Sequence, residues 1–265
     1  MVKKILAKTY VFLILFLLYA PILFVVLFSF TDTATVNLGN IFRMTFSLEP
    51  YRTLFEDAKL VDAFVNTLVL ALAASVISSV LGTAAAIGIY NSRKRAKNAL
   101  TTVNQIPVLN AEIVTAVSLS LLFVTLGMKK GFFTLLIAHI TFCTPYVVLS
   151  VLPKLKQMNK NTYEAALDLG ATPVQALFRV VLPEILPGIL TGFMLAFTLS
   201  IDDFVITVFN TSGFTTLSKY IYETAARKGL TPQLRALSTI IFVVVLTVLL
   251  AVNFGGKKGR KGGAK

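Results

Sequence analysis

The stretch that decides the reading runs from Asn161 to Pro187, NTYEAALDLGATPVQALFRVVLPEILP, a polar island between two long apolar runs. Its punctuation predicts two short helices joined by a bend. Asn161 is placed to accept backbone amides at the start of the first helix, with Glu164 reaching back from three residues on, an Asn version of the capping box. Gly170 supplies the left-handed residue that ends this helix. Thr172 caps the second helix, and Pro173 fits its first turn because no amide donor is needed there. Gln175 takes the reciprocal capping position, and Pro183 is expected to close the helix. Such a hairpin is too polar to cross a bilayer and too well punctuated to be disordered. Set between membrane spans, it is suited to present a rigid knob to a soluble partner.

The surrounding chain supplies the spans. Of 265 residues, 56% are hydrophobic and 14% charged, and the mean hydropathy is +0.80, which excludes a soluble domain. The fold class is therefore all-α and polytopic. Six apolar runs, at about 9–30, 62–90, 99–126, 131–152, 186–209 and 234–254, each approach or exceed the ~20 residues that a crossing helix needs. The first is read as a retained helix, since no small-residue cleavage site follows it. Residues 1–254 then form a single transmembrane domain, with the hairpin at 161–187 as its one elaborated loop. The Gly/Lys stretch 255–265 is expected to be a disordered basic tail.

The formal charge of +13 fits topology signals and anionic lipid better than nucleic acid, because no aromatic residues interleave with the basic ones. Lys3, Lys4 and Lys8 precede the first span, and Arg93, Lys94, Arg95 and Lys97 lie between the second and third. This places both termini and the hairpin in the cytoplasm of a cell (inner) membrane protein. Lys129, Lys130, Lys219, Arg227, Lys228 and Arg235 run against that count. In the outer loop 31–61, Tyr51, Leu54 and Phe55 share a helical face. Between the fifth and sixth spans, Leu217, Tyr220, Ile221, Thr224 and Ala225 mark another outer helix, ended by Gly229 before Thr231 and Pro232 restart one. Small residues recur at every fourth position in spans two (Ala74, Ser78, Gly82, Ala86) and five (Gly188, Gly192, Ala196, Ser200). Close helix approach through such stripes predicts that these two spans are inner ones, whereas the Leu/Phe/Val-rich first span should face lipid.

The candidate chemistry is electrostatic. No Walker A pattern occurs, so any nucleotide engine lies on another chain and this chain does no bond chemistry. The single histidine, His139, and the single cysteine, Cys143, lack a third ligand, which makes a core role the expectation and a metal site not. Asp202 and Asp203, in FTLSIDDFVITVF, are read as lying within the outer half of span five. A carboxylate in hydrocarbon costs about 2.5–3.5 kcal/mol even on the mildest scale, so two need a reason. The alternatives are a cation site and a structural role, as an ion pair or in helix-terminus hydrogen bonding. Successive residues point about 100° apart on a helix, so one can face a wet path while the other contacts a neighbour. Glu112 is a third candidate, close to a break that Pro107 and Asn110 would make in span three.

The hairpin residues Glu164, Ala165, Ala166, Gly170, Val180, Leu182 and Pro183 resemble the EAA motif of ABC importer permeases, E-A-A-x3-G-x9-I-x-L-P, with Val for the usual Ile. By this motif the chain looks like a member of the binding-protein-dependent (MetI-like) permease family. The segments AHITFCTPYVVLSVLPKL and FTLSIDDFVITVFNTSG extend the likeness to the PotC-type permease subunits of spermidine/putrescine importers. The resemblance implies a six-helix core paired with a second, PotB-like permease, two ATPase subunits carrying ATP and Mg, and an extracytoplasmic polyamine-binding protein. No cofactor is expected on this chain itself. It implies that the hairpin docks on the ATPase through a face including Glu164, Ala165, Asp168 and Gly170. It also implies a polyamine path using Ser200, Asp202, Asp203, Glu112 and the outer-loop aromatic Tyr51. Tyr51 departs from the family's usual Trp, and Glu112 from a carboxylate one carbon shorter. The rival expectations are an ABC permease for another small solute and an ion-coupled secondary transporter, in which the hairpin would be idle.

Overall fold

The computed structural model describes residues 2–32 and 46–259. In chain order the helices are α1 (Val2–Phe28), α2 (Glu49–Glu56), α3 (Ala58–Asn91), α4 (Lys94–Leu109), α5 (Glu112–Thr125), α6 (Phe132–Gln157), α7 (Lys160–Asp168), α8 (Pro173–Ala176), α9 (Leu182–Asp202), α10 (Val205–Asn210), α11 (Leu217–Lys228) and α12 (Pro232–Gly259). A π-helical turn, Leu177–Val181, joins α8 to α9 without a gap. Four helical stretches among the described residues are long and apolar enough to cross a bilayer: Thr9–Phe28, Ala58–Asn91, Phe132–Gln157 and Pro173–Asp202. The α4 and α5 helices, joined at a bend of 101°, are long and apolar enough only as a pair, as a broken span or a re-entrant loop. The sixth expected span falls on α12, whose apolar described part is the shorter Pro232–Val244. The protein is an all-α, multi-pass membrane protein.

The chain divides into two units, residues 1–61 with 221–265, and residues 62–220. In the first, α12 packs on α1 and α2. The α2 helix places Tyr51, Leu54 and Phe55 on one face, as expected, but only Leu54 is buried there and Phe55 is 72% exposed. Gly229, at φ 74°, turns the chain after α11, and Thr231 accepts the Leu234 amide at the start of α12, as its sequence position suggests. The α12 helix runs on to Gly259, into the stretch expected to be a disordered tail. Extending an existing helix is far less costly than nucleating one. Residues 260–265 lie outside the described residues, as does the stretch 33–45 of the expected outer loop.

The core of the second unit is built around α6. In its most apolar window 56% of residues are buried, against 39% for α3 and 28% for the span containing α9. The small-residue stripes of α3 and α9 are the surfaces that meet it. A Cβ on Gly82 would stand 2.6 Å from the Val147 Cβ, one on Gly192 would stand 3.1 Å from the Val147 Cγ1, and one on Gly188 would stand 2.7 Å from the Lys154 Cγ. Absent side chains thus let both helices close on α6, where dispersion must supply what the hydrophobic effect cannot between helices in lipid. Ser78 adds a hydrogen bond across the seam, donating to the Ile140 carbonyl at 3.3 Å. The α1 helix has 6% of its window buried, the exposure expected of a helix facing lipid.

The hairpin forms as its punctuation dictates, with two corrections. The cap of α7 is Asn159, whose side chain accepts the Asn161 amide at 3.1 Å; Asn161 is already inside the helix and cannot cap it. Thr172 and Gln175 make the reciprocal capping box of α8, at 3.3 and 3.0 Å. Gly170 lies at φ 87°, and the Ala171 and Gly170 amides close the end of α7 on the Ala166 and Leu167 carbonyls. Pro183 does not close the second helix. Its missing N–H and its ring would disrupt a regular α-helical turn, and the π turn relieves this by pairing the Leu182 amide with the Leu177 carbonyl, five residues back. The helix therefore continues from the hairpin straight into the membrane span. Space around Gly170 is open, so Gly170→Ala meets only the left-handed backbone penalty, about 1–2 kcal/mol. The expected result is faster protease cleavage at 169–171 with the spans intact.

Candidate functional site

The site forms where two membrane helices break. The α4–α5 break falls at Asn110–Ala111, after Pro107, where the sequence anticipated it. The second break was not anticipated. The apolar run predicts a span five continuous to residue 209, but α9 ends at Asp202, Asp203 and Phe204 leave the helix, and α10 begins at Val205. Asp203 causes this. Its carboxylate accepts the Ile206 amide at 3.0 Å, the Thr207 amide at 2.9 Å and the Thr207 hydroxyl at 2.9 Å, which caps α10 and competes with continuation of α9.

The two breaks meet. Asn110, Glu112, Phe142, Tyr146, Leu199, Asp202 and Asp203 line one cleft of about 250 Å³. The aspartates divide their work, but through the helix break and not through the 100° offset of a continuous helix, because Asp203 already lies in extended backbone. Asp203 is 4% exposed and fully engaged, whereas Asp202 is exposed and Glu112 half-buried. Phe142 and Tyr146, one turn apart on α6, meet edge to face with ring centroids 5.5 Å apart. Carboxylates and aromatic faces around one small volume attract a cation through charge and ring quadrupole together.

Ser200 is not on the cleft surface. It is 2% exposed, and its hydroxyl sits 2.8 Å from His139 Nδ1. Tyr51 belongs to the other unit, its ring 5.3 Å from that of Phe30 and its hydroxyl 2.7 Å from Ser29 Oγ. Sequence reasoning missed Phe142 and Tyr146, although their spacing on a helix was readable. It also assigned His139 to the core. His139 is fully buried there, and it also reaches Asp203 Oδ2 at 3.3 Å. Lys130, which ran against the charge count, donates to Ser120 Oγ at 2.8 Å and to the Phe209 carbonyl at 2.9 Å.

The hairpin carries a second surface. Glu164, Ala165, Asp168, Gly170 and Pro183 are exposed, while Ala166 and Leu182 are half-buried. Glu164 also lines a groove of about 600 Å³ with Tyr90, Lys97 and Tyr163; with Asn159 as the cap of α7, Glu164 stands outside the reciprocal capping position. Beside these polar positions stand large apolar side chains that the motif did not single out: Leu169, 89% exposed, Val174 and Phe178. Apolar residues grouped on a polar hairpin mark an interaction surface.

Residues 78–254 match the family of binding-protein-dependent transport system inner membrane components. The chain belongs to this family. Among relatives of this permease, the spermidine/putrescine transport system permease protein PotC of Haemophilus influenzae is 33% identical over 246 residues, covering 92% of this chain and 94% of that protein. The putrescine transport system permease protein PotI of Escherichia coli K12 is 36% identical over 236 residues, covering 86% and 82%. The permease also shares its fold with a chain of a bacterial ABC transporter involved in the import of the acidic polysaccharide alginate, at a TM-score of 0.73 and 16% identity over 97% of this chain and 96% of that one. A complex of a bacterial alginate ABC transporter with a pentasaccharide-bound periplasmic protein contains a similar chain, at a TM-score of 0.68 and 20% identity over 98% and 96%. The matched family region contains the hairpin, α6 and both aspartates, so the site described above lies within it.

Proposed function

We propose that this permease is the membrane subunit of an ATP-driven importer through which polyamines, spermidine and putrescine, cross after delivery by an extracytoplasmic binding protein. The observation that carries this reading is the cleft at the paired helix breaks, where Asp202 and Glu112 stand beside Phe142, Tyr146 and Leu199. A polyamine alternates ammonium groups with methylene runs. Carboxylates and ring faces suit the first, and Leu199 and the ring edges suit the second. Fold alone does not choose the solute: the alginate transporters share the fold, but an acidic polysaccharide would be repelled by this lining. The PotC and PotI relatives, named for polyamines, support the same choice.

On this reading, residues 1–254 form one transmembrane domain with both termini and the hairpin in the cytoplasm. A second permease of PotB type completes the path. Two ATPase subunits carry ATP and Mg, and this chain holds no cofactor. The hairpin docks on the ATPase through Glu164, Ala165, Asp168 and Gly170 together with the exposed Leu169, Val174 and Phe178. Because the helix is unbroken from Pro173 to Asp202, displacement at the hairpin is transmitted to the cleft as a rigid-body motion.

The test is reconstitution in proteoliposomes. With the partner permease, the ATPase and the binding protein present, labelled spermidine accumulates only when ATP is supplied. Accumulation by this chain alone, without nucleotide, would overturn the reading.

A further inference from the structure

One buried side chain spans the break between α9 and α10. His139, in the first third of α6, is fully buried. Its Nδ1 lies 2.8 Å from the hydroxyl of Ser200, in the last turn of α9; its Nε2 lies 3.3 Å from Asp203 Oδ2, in the break, and 3.4 Å from Thr207 Oγ1, in α10. Both ring nitrogens are satisfied at once when the Ser200 hydroxyl donates to Nδ1 and Nε2–H donates to Asp203. An imidazole whose only task was to fill space in an apolar helix would not need partners on both sides of a helix interruption.

We propose that His139 is a positioning residue for the cleft: it holds the Asp203 carboxylate inside the break, so that Asp202 is the exposed member of the pair. The backbone amides of Ile206 and Thr207 and the Thr207 hydroxyl engage Asp203 from the α10 side. His139 engages it from α6, the helix that also carries Phe142 and Tyr146, and so ties the position of the break to the aromatic wall of the cleft. If the helix ran on regularly through Asp203, the carboxylate of Asp202 would be rotated and shifted relative to Glu112. Asp203 is therefore a cap, not a substrate ligand, and the two adjacent aspartates have different jobs. This inference rests on the reading of the cleft as a cation path.

The experiment is spermidine uptake by cells carrying the complete importer, with variant amounts in the membrane fixed by immunoblot. Asp202→Asn is included as the direct probe of the path, and it should raise KM. His139→Asn keeps an acceptor for Ser200 but loses the donor to Asp203. It should raise KM about tenfold, the loss expected for a hydrogen bond to a charged group, with Vmax largely retained. His139→Gln places an amide donor near the former Nε2 and should stay within about threefold of the original KM. Thr207→Val, of equal volume, removes a second bond to Asp203 and should shift KM in the same direction. A normal KM for His139→Asn beside a raised one for Asp202→Asn overturns the positioning role and leaves the path standing. A normal KM for Asp202→Asn removes the cation path, and the proposal with it. If His139→Asn fails to reach the membrane, Thr207→Val decides: a raised KM supports the proposal and an unchanged one refutes it.

Discussion

Spermidine uptake falls about a hundredfold when Asp202→Asn and Glu112→Gln are combined, because each removed charge gives up roughly a tenfold share of the attraction for an ammonium group. Both substitutions keep the side-chain shape, so the loss reports charge and not packing. Asp202 is exposed; Glu112 is half-buried and shares a side-chain hydrogen bond with Asp203, which a glutamine at 112 can still make, while the Ile206 and Thr207 amides go on holding Asp203 in the break. The double variant should therefore accumulate in the membrane as the parent does. Each single variant should show a raised KM with Vmax nearly kept, since on the proposed reading the carboxylates attract the cation on its way through and make no bond that must be broken chemically. Uptake of the double variant at the parental rate, at equal membrane amounts, would remove the cleft from the transport path and leave its carboxylates as structural groups.

The sequence exposed those features whose causes are local. Caps and a left-handed glycine specify the hairpin within its own residues, and apolar run length marks the spans with no reference to neighbours. The first helix break is likewise local, because Pro107 and Asn110 disfavour continuation where they stand. The second break was hidden because FTLSIDDFVITVF is apolar on both sides of the aspartates and reads as one helix. Its interruption depends on a carboxylate held by His139, which lies over sixty residues upstream. The helix across Pro183 was missed for a related reason. Proline's local rule predicts a stop, but a π turn satisfies the rule without one. The stripes of small residues announced that two helices are approached closely, yet a stripe does not say by what. The answer, α6 at Val147, is a tertiary fact.

That packing carries the second large expectation. Gly82→Leu should abolish accumulation of the protein, and Gly82→Ala should already lower its thermal stability in detergent, whereas Gly88→Ala, on the same α3 helix, should raise it. A Cβ on Gly82 would lie 2.6 Å from Val147 Cβ, 2.7 Å from Val147 Cγ1 and 3.1 Å from the Thr144 carbonyl oxygen. Val147 is fully buried and has little room to move aside, because Gly192 of α9 is also packed so close to it that a Cβ there would stand 3.1 Å from the same Cγ1. The alanine methyl must therefore spread α3 from α6, at the 1–3 kcal/mol that overpacking usually costs, about. Around Gly88 nothing lies within 4 Å, so alanine there only removes the entropy penalty of glycine in a helix, about 0.5–1 kcal/mol in the stabilising direction. Opposite signs from one substitution on one helix cannot come from helix propensity, which is the same at both positions. If the clash at Val147 is the cause, Val147→Ala should recover part of what Gly82→Ala loses, a coupling that a double-mutant cycle measures directly. Equal effects at Gly82 and Gly88, or no coupling with Val147, would show that α3 does not meet α6 through this glycine.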